Sequence, residues 1–187
     1  RNPNTTGAKL ILETENPYAK LDSIREGIRN GAIKSLIVLG EDLISDAGFT
    51  AEDLSQLDFM LQTSVLANPT AVHAHLVIPA AAFAEKRGSM VNLSGRLQRL
   101  NRAAEPAGQA KDDWEIIRDL IAALAGEKSV IHEIEDVFAS LAASIPEFTG
   151  MTLSKIGHQG VQIKDTGYEI PLLKNERARK LAGLING

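Results

Sequence analysis

Three short apolar runs in the first half of the chain are bounded by glycine, proline or polar residues. A nearly continuous apolar run of this kind is typical of a strand in a parallel sheet that is covered on both faces. We therefore predict strands at residues 35–39, 59–63 and 75–79. A shorter extended piece is predicted at residues 9–12.

Apolar residues at helical spacing precede and separate these runs. Residues 16–31 combine an Asn-Pro start, apolar residues three or four positions apart and a terminal glycine, which together predict a helix. Residues 50–53 begin with a threonine that can cap a brief helix and continue with acidic residues that favour its first turn. This alternation predicts an α/β fold with a Rossmann-like open, mainly parallel sheet and flanking helices.

The periodic pattern weakens over residues 80–109, where we assign neither helix nor strand. It returns with a capped helix that starts at Asp112, ends at Gly126 and carries an apolar stripe on one face. Ser129 can cap a further helix, which ends before Pro146.

Chain length and pattern predict one domain with an extension. The 187 residues suffice for a single α/β domain and additional chain. We assign residues 1–127 to the α/β domain, and residues 128–187 to a helical and irregular C-terminal extension packed on that domain or on a partner. Within the extension, residues 176–184 are predicted to form a short charged helix.

Composition excludes several classes of function. The chain has no cysteine, so it holds no disulfide, no cysteine nucleophile and no thiolate-bound iron–sulfur cluster of its own. A net charge of −4 provides no basic footprint for nucleic acid. Charged residues interrupt every apolar run before the ~20 residues that a membrane span requires. The start at Arg1, without methionine, suggests a piece of a longer polypeptide.

Two pairs of polar residues lie at predicted strand ends. His73 and His75 are two positions apart in a predicted strand, so both imidazoles would point the same way, but no further ligands follow at a recognisable spacing. We interpret them as histidines at the mouth of a strand and predict no metal site. Glu41 and Asp42 follow the first strand, where open α/β sheets bind ligands. They accept hydrogen bonds from a ribose or a guanine-type base, or they are solvated turn residues; the second interpretation is favoured.

A cationic segment spans residues 86–102 and contains five lysines or arginines and no acid. Gly88 and Gly95 permit close approach of the backbone, Asn92 can read polar edges, and Arg96 can pair with an anion. These four residues are the candidate cofactor-binding site, suited to a pyrophosphate-linked pterin. A positively charged surface loop that contacts an acidic neighbouring domain explains the same pattern equally well. No dinucleotide or phosphate-loop glycine motif is present.

An ordered series of motifs spans roughly residues 20 to 163. It comprises Thr70-Ala71, Leu76-Val77-Ile78-Pro79, Glu85-Lys86-Arg87-Gly88-Ser89, Asn92, Gly95-Arg96-Leu97-Gln98, Pro106-Ala107-Gly108 and Asp113-Trp114. The series resembles the later half of molybdopterin oxidoreductases. Two positions depart from that pattern, since His75 stands where the family commonly has Asp and Ser89 where it commonly has Thr.

The resemblance is greatest to the carboxy-terminal part of the large iron–sulfur subunit of NADH–quinone oxidoreductase, respiratory complex I. Gly40-Glu41-Asp42 and the segment from Pro146 to Gln162 carry this finer likeness. It implies a structural role in electron transfer from NADH to quinone, with no cofactor within this chain. Iron–sulfur clusters, and a molybdopterin if one is bound, would lie in the rest of the polypeptide. The implied partners are that remainder and other subunits of the complex, and the implied location is cytoplasmic, peripheral to the inner face of the cell membrane.

Two other functions remain open. The chain is similar in its middle motifs to catalytic subunits of the formate dehydrogenase type. In such a subunit it would be a domain that contacts a pterin dinucleotide, with Asn92 and Arg96 among the contacts. A stand-alone module that binds a small ligand is the third alternative.

Overall fold

The computed structural model describes residues 4–15 and 21–168. In chain order its elements are α1 (Thr5–Glu15), α2 (Leu21–Arg29), β1 (Ser35–Leu39), α3 (Leu43–Asp46), α4 (Ala51–Ser55), β2 (Phe59–Ser64), the 3-10 helix η1 (Thr70–His73), β3 (Leu76–Pro79), β4 (Gly88–Val91), β5 (Arg96–Leu100), α5 (Asp113–Ala125), α6 (Ile134–Ser144), the 3-10 helix η2 (Pro146–Phe148) and β6 (Val161–Gln162). Among the described residues, none of the helices has the length and the apolar composition that a membrane span requires.

The described chain divides into two compact units. The sheet unit contains residues 21–88 and 100–137, and the hairpin unit contains residues 4–15, 89–99 and 138–168. Compactness defines these units, whereas the sequence prediction concerned family domains. The boundary predicted after residue 127 therefore stays a prediction.

The sheet unit is built on three parallel strands in the order β1-β2-β3. Ser35 pairs with Phe59 at the start of β1 and β2, and Leu61 pairs with Leu76 where β3 joins. Helices precede β1 and lie between β1 and β2. The predicted α/β fold with a parallel sheet and flanking helices is confirmed.

One face of this sheet carries the core of the unit. Val38 and Met60 from the strands pack with apolar side chains of the surrounding helices and loops. Those side chains are Ile28, Leu43, Phe49, Leu54 and Leu57. On the opposite face, Ile37 and Leu39 remain 50% and 44% exposed. The prediction that β1 is covered on both faces is wrong for this chain, because no described element covers that side of the strand.

Helix boundaries in the sheet unit follow from capping chemistry. Thr50 accepts a hydrogen bond from the Asp53 N–H at 3.1 Å, and Asp53 accepts one from the Thr50 N–H at 2.9 Å, so the two form a capping box at α4. α5 begins with a second capping box between Asp112 and Glu115. It ends at Gly126, whose φ of 69° is the left-handed conformation that glycine adopts readily.

The hairpin unit contains the second sheet, in the order β4-β5-β6. β5 and β6 are antiparallel, with Arg96 opposite Gln162 and Leu97 opposite Val161. The rings of Phe138 in α6 and Phe148 in η2 stack with their centres 5.9 Å apart. The buried apolar side chains of this unit are Leu10, Val91, Leu97, Phe138, Ile145, Phe148, Leu153 and Ile156.

Several element predictions need correction. Residues 9–12 are not extended but lie inside α1, since a four-residue apolar run does not by itself distinguish a strand from a buried helix turn. Residues 80–109, left without assignment, contain β4 and β5. The predicted helix at residues 176–184 lies outside the described residues.

Candidate functional site

The turn between β4 and β5 brings three of the four predicted site residues together. Asn92 organises this turn, because its Oδ1 accepts hydrogen bonds from the Ser94 N–H at 3.0 Å, the Ser94 hydroxyl at 2.8 Å and the Arg96 N–H at 3.0 Å. Its Nδ2 donates to Gln98 at 3.3 Å. The amide that was predicted to read a ligand edge therefore holds its own turn together.

Gly95 is required at its position by a close backbone approach. Its φ is +79°, and a Cβ there would lie 1.8 Å from the carbonyl oxygen of Lys164. The N–H groups of Ile163 and Lys164 both donate to the Gly95 carbonyl, at 3.1 and 3.2 Å. The close approach that the sequence indicated is made by the chain's own backbone.

Arg96 contacts that same returning segment. Its Nη1 donates to the carbonyl oxygens of Gln159 and Gly160, each at 3.2 Å. Gly88, the fourth predicted residue, begins β4, and a Cβ at Gly88 would meet no atom within 4 Å. Direct contact of these four residues with a cofactor stays a prediction.

Three of the five cations in the segment of residues 86–102 are paired inside the sheet unit. The Lys86 Nζ lies 2.5 Å from the Asp113 Oδ2, and the Arg87 guanidinium forms an ion pair with the Glu135 carboxylate. Arg102 lies 3.4 Å from a carboxylate oxygen of Asp112, a residue that is 2% exposed. Much of the positive charge that made this segment a candidate anion site is neutralised by the chain's own acids.

Asp112 is the centre of this arrangement and was not singled out as a functional residue. One of its oxygens accepts hydrogen bonds from the Arg87 N–H and the Trp114 indole N–H, both at 3.3 Å, and the other accepts from Arg102. These donors precede β4 and follow β5. One buried carboxylate therefore hydrogen-bonds to both segments that flank the β4–β5 hairpin. The Asp-Asp-Trp sequence at the helix start is the signal that could have found it.

The carboxyl edge of the parallel sheet carries a second group of polar side chains. The Gln62 side chain is fully buried, and its Nε2 donates to the Glu41 carbonyl at 2.8 Å and to Asn68 at 3.3 Å. The Gln62 Oε1 and the Thr63 Oγ1 are buried without a hydrogen-bond partner among the described residues. A buried polar atom without a partner is costly, so this edge is suited to a further polar group. A Gln-Thr pair inside an apolar strand was the available signal.

Asp42 has a defined role at the same edge. It caps α3 by accepting from the Ser45 N–H at 3.2 Å, and it accepts from the Thr70 hydroxyl at 2.6 Å. These hydrogen bonds, from Ser45 and then Thr70, lower the pKa of Asp42 below its ordinary value. The Oδ1 of Asp42 thus caps a helix, so Asp42 is not a free turn residue, and its contact with a ribose or a guanine-type base stays an alternative. Glu41 is exposed, as expected for a turn.

The two strand-end histidines do not form a pair. His73 ends the 3-10 helix η1, and His75 comes just before β3, so the prediction that both lie in one strand is wrong. The preceding Asn-Pro-Thr sequence starts a helical turn that continues through His73. The Nδ1 of His75 accepts the Met60 N–H at 3.0 Å, and its ring stacks on Phe59 with centres 5.9 Å apart. Among residues 4–15 and 21–168, no group of three or more His, Cys, Asp or Glu is placed to hold a metal ion.

The parallel sheet, its crossovers and the polar carboxyl edge define an α/β domain of the Rossmann-like class. The family model of the molybdopterin oxidoreductases matches residues 4–123. The chain therefore belongs to the molybdopterin oxidoreductase family.

Curated relatives of this chain are much longer proteins. The chain is 34% identical over 161 residues to the F420-dependent formate dehydrogenase 2 subunit alpha of Methanococcus maripaludis, a match to 81% of this chain and 24% of that protein. It is 32% identical to a putative formate dehydrogenase of Staphylococcus haemolyticus, over 75% of this chain and 15% of the relative. It is 33% identical to the NADPH-Fe(3+) oxidoreductase subunit alpha of Geobacter sulfurreducens, over 68% and 15% respectively. The chain thus spans a quarter or less of each relative.

A solved structure supports the fold. Acetylene hydratase from Pelobacter acetylenicus matches with a TM-score of 0.55 and 20% identity, over 76% of this chain and 20% of that one. The expected family is confirmed. The finer expectation, the subunit of NADH–quinone oxidoreductase, is not supported by these relatives, which are a formate dehydrogenase alpha subunit, a putative formate dehydrogenase and an NADPH-Fe(3+) oxidoreductase subunit alpha.

Proposed function

We propose that this chain is the later α/β portion of a catalytic subunit of the formate dehydrogenase type, where it contributes to the surface that contacts a pterin dinucleotide. The observation that carries the proposal is the 34% identity to a formate dehydrogenase alpha subunit across 81% of the chain. This function is the one that the sequence suggested through its similarity to catalytic subunits of the formate dehydrogenase type. We prefer it to a role in NADH–quinone oxidoreductase.

The residues at the carboxyl edge of the parallel sheet fit such a group. A pterin and a guanine both present hydrogen-bond donors and acceptors along one edge. The buried Oε1 of Gln62 can accept a hydrogen bond and has no partner among the described residues, whereas the equally unpartnered hydroxyl of Thr63 points to the opposite face of β2. The molybdenum-bearing pterin would supply the redox chemistry when bound. The side chains of this edge would bind and orient the dinucleotide.

The turn that carries Asn92, Gly95 and Arg96 has a supporting part in this proposal. Its hydrogen bonds run to its own backbone and to the segment around residues 159–164, so the chain's own groups define the conformation of the turn. A turn that is already ordered loses little entropy when a neighbouring group binds to it. The remainder of the parent polypeptide stays the proposed partner. Membership of a larger complex at the inner face of the membrane also stays a proposal.

The proposal is tested by analysing the parent subunit purified with its native partners. We expect molybdenum and extractable pterin dinucleotide in stoichiometric amounts. Iron–sulfur clusters without any pterin would overturn the proposal and favour the role in NADH–quinone oxidoreductase.

A matched pair of variants tests the carboxyl edge. Gln62→Met keeps the size of the side chain but removes its amide, and we expect the subunit to retain less pterin while its iron content is unchanged. Gln56→Met makes the same change at the exposed end of α4, before β2, and should leave both contents unchanged. Equal pterin content in the two variants would exclude Gln62 from the contact surface.

A further inference from the structure

An uncovered apolar surface lies on one side of the sheet unit. By the strand register, Ile37 and Leu39 of β1 share a face with Phe59 and Leu76. All four side chains are between 41% and 50% exposed. Further along the central strand β2 the same face is covered, since Leu61 is 2% exposed. The uncovered part therefore comprises residues of the two outer strands and Phe59 at the start of β2.

The helix α5 carries a further row of exposed apolar residues. Its residues Ile117, Ile121 and Leu124 are 36%, 60% and 81% exposed and lie on one side of the helix by their spacing. A groove of about 520 Å³ joins the helix to the sheet, with Ile78 of β3 and Leu120 of α5 in its wall. We call the four sheet residues and these four residues of α5 (Ile117, Leu120, Ile121, Leu124) the apolar surface.

β1 adds a second sign of a missing neighbour. Within the part of the chain that the structure describes, β1 is hydrogen-bonded to β2 alone, and its sequence Ser-Leu-Ile-Val-Leu contains no charge. Proteins normally protect an uncharged edge strand by pairing or covering it. Parallel sheets are normally covered on both faces, most often by helices. Contiguous exposed apolar patches on a protein surface commonly mark interaction sites.

We propose that the apolar surface is the seat of an apolar helix from the remainder of the parent polypeptide. The inference rests on the proposed function, because it takes the chain to be one portion of a larger subunit. Relatives that are matched over only 15% to 24% of their length have ample further chain to supply such a helix. The apolar surface would pack against an aliphatic face of this helix. At its rim, the ion pair between Lys111 and Asp119, at 3.1 Å, could contact polar residues of the same helix.

The experiment uses the lack of natural cysteine in this chain. Single variants Ile37→Cys and Ile121→Cys place a thiol on the apolar surface. Ser55→Cys places one at an exposed position of α4, which packs on the opposite face of the sheet. Each variant is labelled with a maleimide, both in the 187-residue chain and in the full-length parent subunit, and the labelled peptide is quantified by mass spectrometry.

We expect the two apolar-surface variants to label at least about tenfold more slowly in the parent subunit than in the 187-residue chain, while Ser55→Cys labels equally in both. Equal rates for all three variants would overturn the proposal. Protection of Ile37→Cys in the 187-residue chain that grows with protein concentration would also overturn it, because the occupant would then be a second copy. Molybdenum and pterin content is measured on the same parent subunit, so failure of the proposed function is read separately from failure of this surface.

Discussion

At the scale of single residues, the candidate turn is held by groups that the sequence marked for another reason. Asn92, Gly95 and Arg96 were chosen because they suit a pterin ligand, and each of them bonds or approaches the chain's own backbone. The sequence correctly indicated that Asn92 forms polar contacts, that Gly95 allows a close backbone approach and that Arg96 donates hydrogen bonds. Their partners were not predictable, because the segment around residue 160 is more than sixty positions away in sequence.

Gly95→Ala tests the close approach. The new methyl group would lie 1.8 Å from the Lys164 carbonyl oxygen, so the backbone must move and the pairing of β5 with β6 should weaken. Gly108→Ala is the matched control, since Gly108 has a φ of +59° but no atom within 4 Å of its Cβ position. We expect the control to cost about 1 kcal/mol from its backbone conformation and Gly95→Ala to cost clearly more in urea unfolding. Equal losses in the free energy of unfolding for the two variants would mean that the backbone at Lys164 moves aside without a measurable loss of stability.

Asp53 gives the sheet unit a dependence on pH. It is 2% exposed, and the Arg29 guanidinium, with Nε 2.5 Å from the carboxylate, lowers the pKa of Asp53 from 3.8 to about 2. A lowered folded-state pKa stabilises the fold above the unfolded value and loses that effect as the pH falls. We expect the free energy of unfolding to decline between about pH 4 and pH 2. The Asp53→Asn variant should be less stable at neutral pH, and its free energy of unfolding should decline less as the pH falls. The control Asp46→Asn, at an exposed position, should behave like the unmodified chain.

At the scale of elements, local chemistry predicted the start of α4, both ends of α5 and the strands of the first sheet. The helix start predicted at Ser129 is wrong, because α6 begins at Ile134 and the Ser129 hydroxyl accepts the Ile131 N–H of the preceding turn. β1 was predicted at its observed bounds because an uncharged apolar run ends at a glycine. β4 and β5 were missed, since Gly-Ser-Met-Val and Arg-Leu-Gln-Arg-Leu show no clear alternation and only Val91 and Leu97 among them are buried. The helical spacing of apolar residues in α5 was predicted correctly. The buried residue of this helix, however, is Ile116, which lies outside the predicted apolar stripe. A sequence period marks the apolar side of a helix without saying which neighbour covers it.

Thr50→Ala tests how much local capping contributes to the sheet unit. The change removes the oxygen that accepts the Asp53 N–H at 3.1 Å, and loss of such a cap typically costs about 1 kcal/mol. Thr50→Ser keeps the hydroxyl and should recover most of the loss in thermal unfolding. If the serine variant were as unstable as the alanine variant, the methyl group of Thr50 and not its hydroxyl would matter.

At the scale of the whole molecule, two compact units are interleaved along one chain that spans a quarter or less of its relatives. The family and the α/β class could be read from ordered motifs and from the alternation of helix and strand. The finer assignment to a respiratory subunit could not, because it rested on short segments such as Gly40-Glu41-Asp42. In the structure Asp42 caps a helix, a role that many unrelated proteins need.

The order of segments in the hairpin unit has a consequence for how the chain is made. The sheet unit has all its residues once synthesis reaches residue 137, whereas β5 must wait for Val161 and Gln162 before it gains β6 as its second partner beside β4. Contacts between such distant positions form slowly, because a long loop must close first. On the ribosome, the early helix α1 and the β4–β5 hairpin would therefore emerge well before the segment that completes their unit. The parallel sheet would condense first, and the hairpin unit would assemble as a late event of biosynthesis.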